Sequence, residues 1–131
     1  MLMDVLDEWG LSTGQALPKE VIHQQGLLHR AVHLYLMDFD GNLLVQKRAP
    51  QVDYYPGLVS ISLTGHVDAG ESSQMALHRE LQEELGLEGR ELPIQFLFSY
   101  RQDIIVSPTY VDRQFNGVYF CRCPIKKENL T

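Results

Sequence analysis

Hydrophobic and polar positions alternate along several short stretches of the chain, and one longer stretch repeats leucine at every fourth residue. Residues 29–37 alternate and are rich in large side chains, which predicts a strand. Residues 38–42 read as a hairpin turn, 43–47 as the returning strand, and 58–63 as a third strand. The loop 49–57 between them holds two prolines. Leu77, Leu81 and Leu85 fall at i, i+4 and i+8, the apolar stripe of a helix that packs on a sheet. That helix starts at residues 71–73, with Ser72 or Ser73 as N-cap, and ends near Leu85 with Gly86 as the C′ residue. Pro18 suits a first turn, so 19–25 reads as a short helix closed by Gly26. Residues 3–6 read as a short edge strand, 10–14 as a turn and 64–70 as a glycine-bracketed loop. Residues 94–100, with 103–106, and 115–123 read as further strands.

Hairpins around one strong helix predict an α/β fold with a mixed sheet, in a single domain over residues 1–131. A sheet has two faces, and only one long helix is in view. The N-terminal segment, a partner chain or a last helix beyond this chain would have to cover the second face. A homodimer is one such cover.

Composition narrows the class. Hydrophobic residues make up 44% of the 131, enough for a core, and charged residues 21%, too few for a disordered segment. The net charge of −6 argues against a nucleic-acid partner held by a general basic footprint. Cys121 and Cys123 stand two apart on one predicted strand, which is poor geometry for a bridge, and no zinc spacing is present. The acidic N-terminus lacks the positive start of a signal peptide, and no apolar run approaches the roughly 20 residues of a membrane span. These readings point to a cytoplasmic protein with no membrane partner.

The chemistry concentrates between Gly65 and Leu87. Glu80, Glu83 and Glu84 sit at i, i+3 and i+4, which places three carboxylates on one helical face. Such glutamate-rich helices are usually plain solvated faces. A hard divalent cation with oxygen ligands is the natural partner for a cluster set in a longer frame. Gly65 and Gly70 let the main chain approach a ligand closely, so the Gly65 carbonyl is a further candidate ligand. Glu71 is placed to pair with Arg79 once the loop folds back onto the helix. Lys47 and Arg48 end a strand bordering this site and suit substrate phosphates.

The segment Gly65, Glu71, Arg79, Glu80, Leu81, Glu83, Glu84, Gly86, Leu87 resembles the Nudix box, G-x5-E-x7-R-E-U-x-E-E-x-G-U with U apolar, at every position across 23 of 131 residues. The surrounding residues resemble the branch of the family close to isopentenyl-diphosphate isomerase. They are Gly26 to His33, Leu44 to Arg48, Tyr55-Pro56-Gly57 and Gly65-His66-Val67. The resemblance implies an α/β/α sandwich with a mixed sheet, whose C-terminal helix is missing from this chain. It also implies hydrolysis of a diphosphate bond in a nucleoside diphosphate-type or related small phosphorylated substrate, with Mg2+ or Mn2+ as cofactor. Glu80, Glu83 and Glu84 with Gly65 would hold the metal. Glu83 would act as general base, with Arg79 and Glu71 completing the catalytic frame.

Isomerases of this branch use a cysteine just before the Gly-His pair and two glutamates, one residue apart, in a later strand. Here Thr64 takes the cysteine's place, and Asp112 and Gln114 take those of the glutamates. Neither Thr64 nor Gln114 can do the proton chemistry, which favours hydrolysis. The alternatives are an isomerase-like enzyme and a non-catalytic nucleotide-binding module, which would be expected to lose box glutamates. The resemblance also raises a second metal site from His23, His29, His66 and Asp112. Three imidazoles and a carboxylate suit a transition metal, although the His23–His29 spacing departs from the family pattern.

Overall fold

The computed structural model describes residues 2–47 and 59–124. Its elements in chain order are β1 (Leu2–Leu6), β2 (Ser12–Pro18), α1 (Lys19–Gln25), β3 (Leu28–Met37), β4 (Gln46–Lys47), β5 (Val59–Ser60), β6 (Leu63–His66), α2 (Ser73–Glu80), β7 (Gln95–Ser107) and β8 (Tyr110–Arg122). After α2 the helix widens into a π-type turn, Leu81–Leu85.

Strand β3 organises the fold. It lies inside a sheet of order β6-β3-β8-β7 and runs parallel to β8, from Leu28 opposite Arg113 to Met37 opposite Arg122. β6 and β7 pair antiparallel with their neighbours, so the sheet is mixed, as expected. Alternate β3 residues face opposite sides. Val32, Leu34 and Leu36 are fully buried in a core with Leu63, Val67, Ala76, Leu77, Leu81, Leu85, Cys121 and Cys123. The leucine stripe of the helix therefore packs on this face, each leucine contributing about 1.5–3 kcal/mol by burial. Both cysteines are free thiols.

His29, Ala31 and His33 face the other side. There α1 covers one end, and Ile22 of α1 packs with Met3 and Val5 of β1. The N-terminal segment thus supplies part of the second layer. Among the described residues no helix follows β8, and none is long and apolar enough to cross a membrane.

Both helix ends follow their capping residues. Gly26, at φ 64°, closes α1 and returns its N–H to the Ile22 carbonyl. Ser72 caps α2 by accepting from Met75 N, and Gly86, at φ 67°, ends the π-type turn.

Several predicted boundaries change. The turn at 10–14 is shorter, because Ser12–Pro18 pairs with β1. The strand 43–47 is reduced to Gln46–Lys47 and a single bridge between Leu43 and Met37. The strand 58–63 breaks at Ser62, whose buried hydroxyl accepts from Leu36 N (2.8 Å) and donates to Leu44 O, taking the place of ladder bonds. The loop at 64–70 loses its start to β6, and 94–100 joins 103–106 in one long strand.

Candidate active site

Arg79 sits at the centre of the glutamate cluster. Its Nε donates to Glu71 Oε2 at 2.9 Å and its Nη2 to Glu71 Oε1 at 3.0 Å. Nη2 also donates to the His66 carbonyl at 3.1 Å and lies 3.4 Å from Asp68 Oδ2. Nη1 donates to Glu80 Oε1 at 2.8 Å and to Glu83 Oε2 at 3.3 Å. One guanidinium thus ties the loop, β6 and the helix together, through a planar fork that no ammonium can match. The expected Glu71–Arg79 pair is present. Asp68 joins it, with its own N–H donating to Glu71 Oε1 at 2.9 Å. Sequence reasoning passed over Asp68, since no box position marks it.

The loop is anchored from outside as well. Ala69 N donates to the Leu2 carbonyl at 2.8 Å, and Gly70, at φ 84°, donates to Asp4 Oδ2 at 3.4 Å.

Glu80, Glu83 and Glu84 converge as predicted, although the helix widens between them. Glu84 bears on the titration of Glu80, and Arg79 spans Glu80 and Glu83. Burial raises the pKa of Glu80, against the opposing pull of Arg79. The hydrogen bond from Arg79 lowers that of Glu71. A Cβ on Gly65 would stand 2.6 Å from Glu80 Cγ, so only glycine leaves room for this glutamate against β6. A cluster carrying more negative charge than one arginine offsets, packed against bare backbone, fits a hard divalent cation. Arg48 lies outside the described residues, and of Lys47 only the backbone is described.

On the opposite face of the sheet His23, His29 and His66 come together, with a ligand atom from each within 4.8 Å of the others. Asp112 Oδ1 lies 3.4 Å from His29 Nε2 and 3.8 Å from His23 Nε2. These three atoms are buried and make no hydrogen bond. Buried polar atoms without partners are rare, and a bound ion is one explanation of them. The Leu27 carbonyl accepts from His29 Nδ1 at 3.1 Å, which leaves the Nε2 lone pair facing the cluster. Burial pushes the His66 imidazole down to about 3, and that of His23 in the same direction, so both are neutral and able to ligate. The donor set of three imidazoles and a carboxylate suits a transition metal.

A chain of amides adjoins this cluster. Gln114 Nε2 donates to Asn116 Oδ1 at 2.6 Å, and Asn116 Nδ2 donates to Gln102 Oε1 at 3.0 Å. Gln102 and Gln114 lie outside the predicted strands, so no local pattern marked this chain. Tyr110 stacks on His23 with ring centroids 4.3 Å apart.

A Nudix domain model matches residues 27–129. The chain is 35% identical to Nudix hydrolase 3 of Arabidopsis thaliana over 98% of its own length, and 36% identical to isopentenyl-diphosphate Delta-isomerase 2 of Photorhabdus laumondii over 79%. It spans 17% of the first relative and 57% of the second. The crystal structure of DR0079 from Deinococcus radiodurans superposes with a TM-score of 0.78 at 27% identity, over 96% of this chain and 74% of that one. The α/β fold with its box helix defines a Nudix domain. The chain belongs to the Nudix family, on the side that resembles the isopentenyl-diphosphate isomerases.

Proposed function

We propose that this chain acts as one cytoplasmic domain, a hydrolase that cuts a diphosphate bond in a nucleoside diphosphate-type or related small phosphorylated substrate, by water attack at phosphorus. The observation that carries the reading is the convergence of Glu71, Glu80 and Glu83 on Arg79, with Glu80 lying against the bare backbone of Gly65. Membership of a family with named hydrolases supports it.

Glu80, Glu83, Glu84 and the Gly65 carbonyl would hold Mg2+ or Mn2+. When bound, the ion offsets phosphate charge and lowers the pKa of water. Glu83 is the most exposed of the carboxylates that touch Arg79, at 58%, and takes the proton from the attacking water. Arg79 and Glu71 hold the loop and helix in register. Lys47 and Arg48 meet the substrate phosphates.

The histidine cluster supports a second cation, a transition metal on His23, His29, His66 and Asp112. It does not restore an isomerase, because Thr64 and Gln114 stand where that chemistry needs a thiol and a carboxyl. The test is a panel of nucleoside diphosphate conjugates and isopentenyl diphosphate, assayed with Mg2+ for the wild type and Glu84→Gln. Hydrolysis of a conjugate, lost at least a hundredfold in the mutant, is expected, a loss of ~3 kcal/mol of transition-state stabilisation. Equal rates in the two proteins, or conversion of isopentenyl diphosphate to its isomer, would overturn the reading. So would tight binding of one nucleotide with no turnover.

A further inference from the structure

Strand β7 is an edge of the sheet. It pairs with β8 on one side, and among the described residues nothing pairs with the other. It is long and apolar for that position, with Phe98 52% and Ile105 77% exposed. Edges are commonly blunted by short length, proline, charged side chains or bulges; QFLFSYRQDIIVS is long, has neither proline nor lysine, and keeps its two charges side by side on one face. Register shifts between Phe96 and Phe98 and between Ile105 and Ser107 bracket a regular stretch in the middle of the strand.

We propose that this stretch pairs with its own counterpart in a second copy of the chain, antiparallel, about a twofold axis through Gln102. The register follows from charge. Arg101 and Asp103 are the only charged residues in β7. An axis through either would set like charges opposite each other, which destabilises a pair of strands. An axis through Gln102 sets Arg101 of each copy opposite Asp103 of the other. The same register puts Tyr100 opposite Ile104, a favourable aromatic and β-branched pair, and Ser99 opposite Ile105. Within one copy Asp103 already receives Arg101 Nε and Arg113 Nε, both at 3.0 Å. The partner's arginine would extend this row across the axis, and the two sheets would become one. This pairing does not depend on the catalytic reading.

The test is the mass of the full chain by sedimentation equilibrium, from low to high micromolar concentration. Twice the protomer mass is expected at the upper end. Arg101→Asp alone and Asp103→Arg alone should return the protomer mass, and the double reversal should restore the dimer, with circular dichroism verifying the fold of each. Gln102→Cys in the native charge background should cross-link to itself on oxidation, since its α-carbons would come within disulfide range on the axis. Tyr100→Cys should not. Both native cysteines are buried and do not compete. A protomer at every concentration, a dimer indifferent to single reversal, or cross-linking through Tyr100→Cys instead of Gln102→Cys would each overturn the proposal.

Discussion

Glu71 and Arg79 stand eight residues apart and meet through two parallel hydrogen bonds, Nε to Oε2 at 2.9 Å and Nη2 to Oε1 at 3.0 Å. The pair closes the loop onto the helix, so the carboxylates of the helix and the backbone of β6 approach one another in fixed geometry.

Replacing Arg79 by lysine should break this closure, because an ammonium cannot reproduce the fork. At least a tenfold loss of turnover is expected, with about 1–3 kcal/mol lost from stability. Glu71 adds a pH signature. Arg79 holds its carboxyl below the ordinary glutamate value. A depressed folded pKa contributes stability that is present above the unfolded pKa and is lost as pH falls through the folded one. Urea unfolding of wild type and Arg79→Lys at neutral and acid pH should converge at the acid end. A gap that stays constant with pH would count against the pairing as the cause.

Gly65→Ala should be disproportionately harmful for one methyl group. The added carbon would stand 2.6 Å from Glu80 Cγ, so Glu80 has to leave the strand. The expected cost is about 1–3 kcal/mol in stability, typical of overpacking. Affinity for Mn2+ should fall as well, measured by calorimetry. Unchanged Mn2+ affinity in a folded variant would detach Gly65 and Glu80 from the metal.

Metal-free protein should lose stability on mild acidification. Burial, ahead of the charges of His29, Lys19 and His23, sets His66 at about 3, and His23 and His33 shift the same way. These bases have folded pKa values below the unfolded one. The unfolded chain therefore binds protons near pH 6.5 that the folded chain refuses, and stability falls as pH drops below that point. Between pH 7 and 5 His66 alone accounts for about 2 kcal/mol. Denaturant titrations in chelator, for wild type and His66→Gln, would reveal it; identical pH slopes would refute it.

The two cysteines should be inert in the folded state. Cys121 is fully buried and burial pushes its thiol up to about 12, and Cys123 is 4% exposed. Native protein at pH 8 should react with a disulfide reagent on the order of a hundredfold more slowly than unfolded protein. Rapid modification of the native chain would contradict the core described for the α2 face.

Signals local in the chain were the readable ones. Pro18 and Gly26 framed α1, Ser72 and Gly86 framed the helix, and the leucine period identified its buried side. The box spacing placed Glu71 opposite Arg79, because one element and its adjoining loop contain both. The histidine cluster was harder. His23 and His29 come within 5.3 Å between ring centroids because the left-handed turn at Gly26 folds the chain back between them. Asp112 joins through the parallel register of β3 with β8, which no local pattern reveals. The break at Ser62 was hidden for a similar reason. A serine on an alternating strand gives no sign that its hydroxyl will replace a ladder bond. The π-type widening after Glu80 left no trace in the leucine spacing, which satisfies either helical form.

Gly65 and His66 are consecutive residues on β6, and the pleat turns one toward the glutamates and the other toward the histidines. Two candidate cation pockets are therefore mounted back to back on a single peptide unit. Deleting one residue just ahead of Gly65 would exchange their sides and ruin both pockets together, whereas the same deletion in the turn after Met37 would leave that dipeptide where it is.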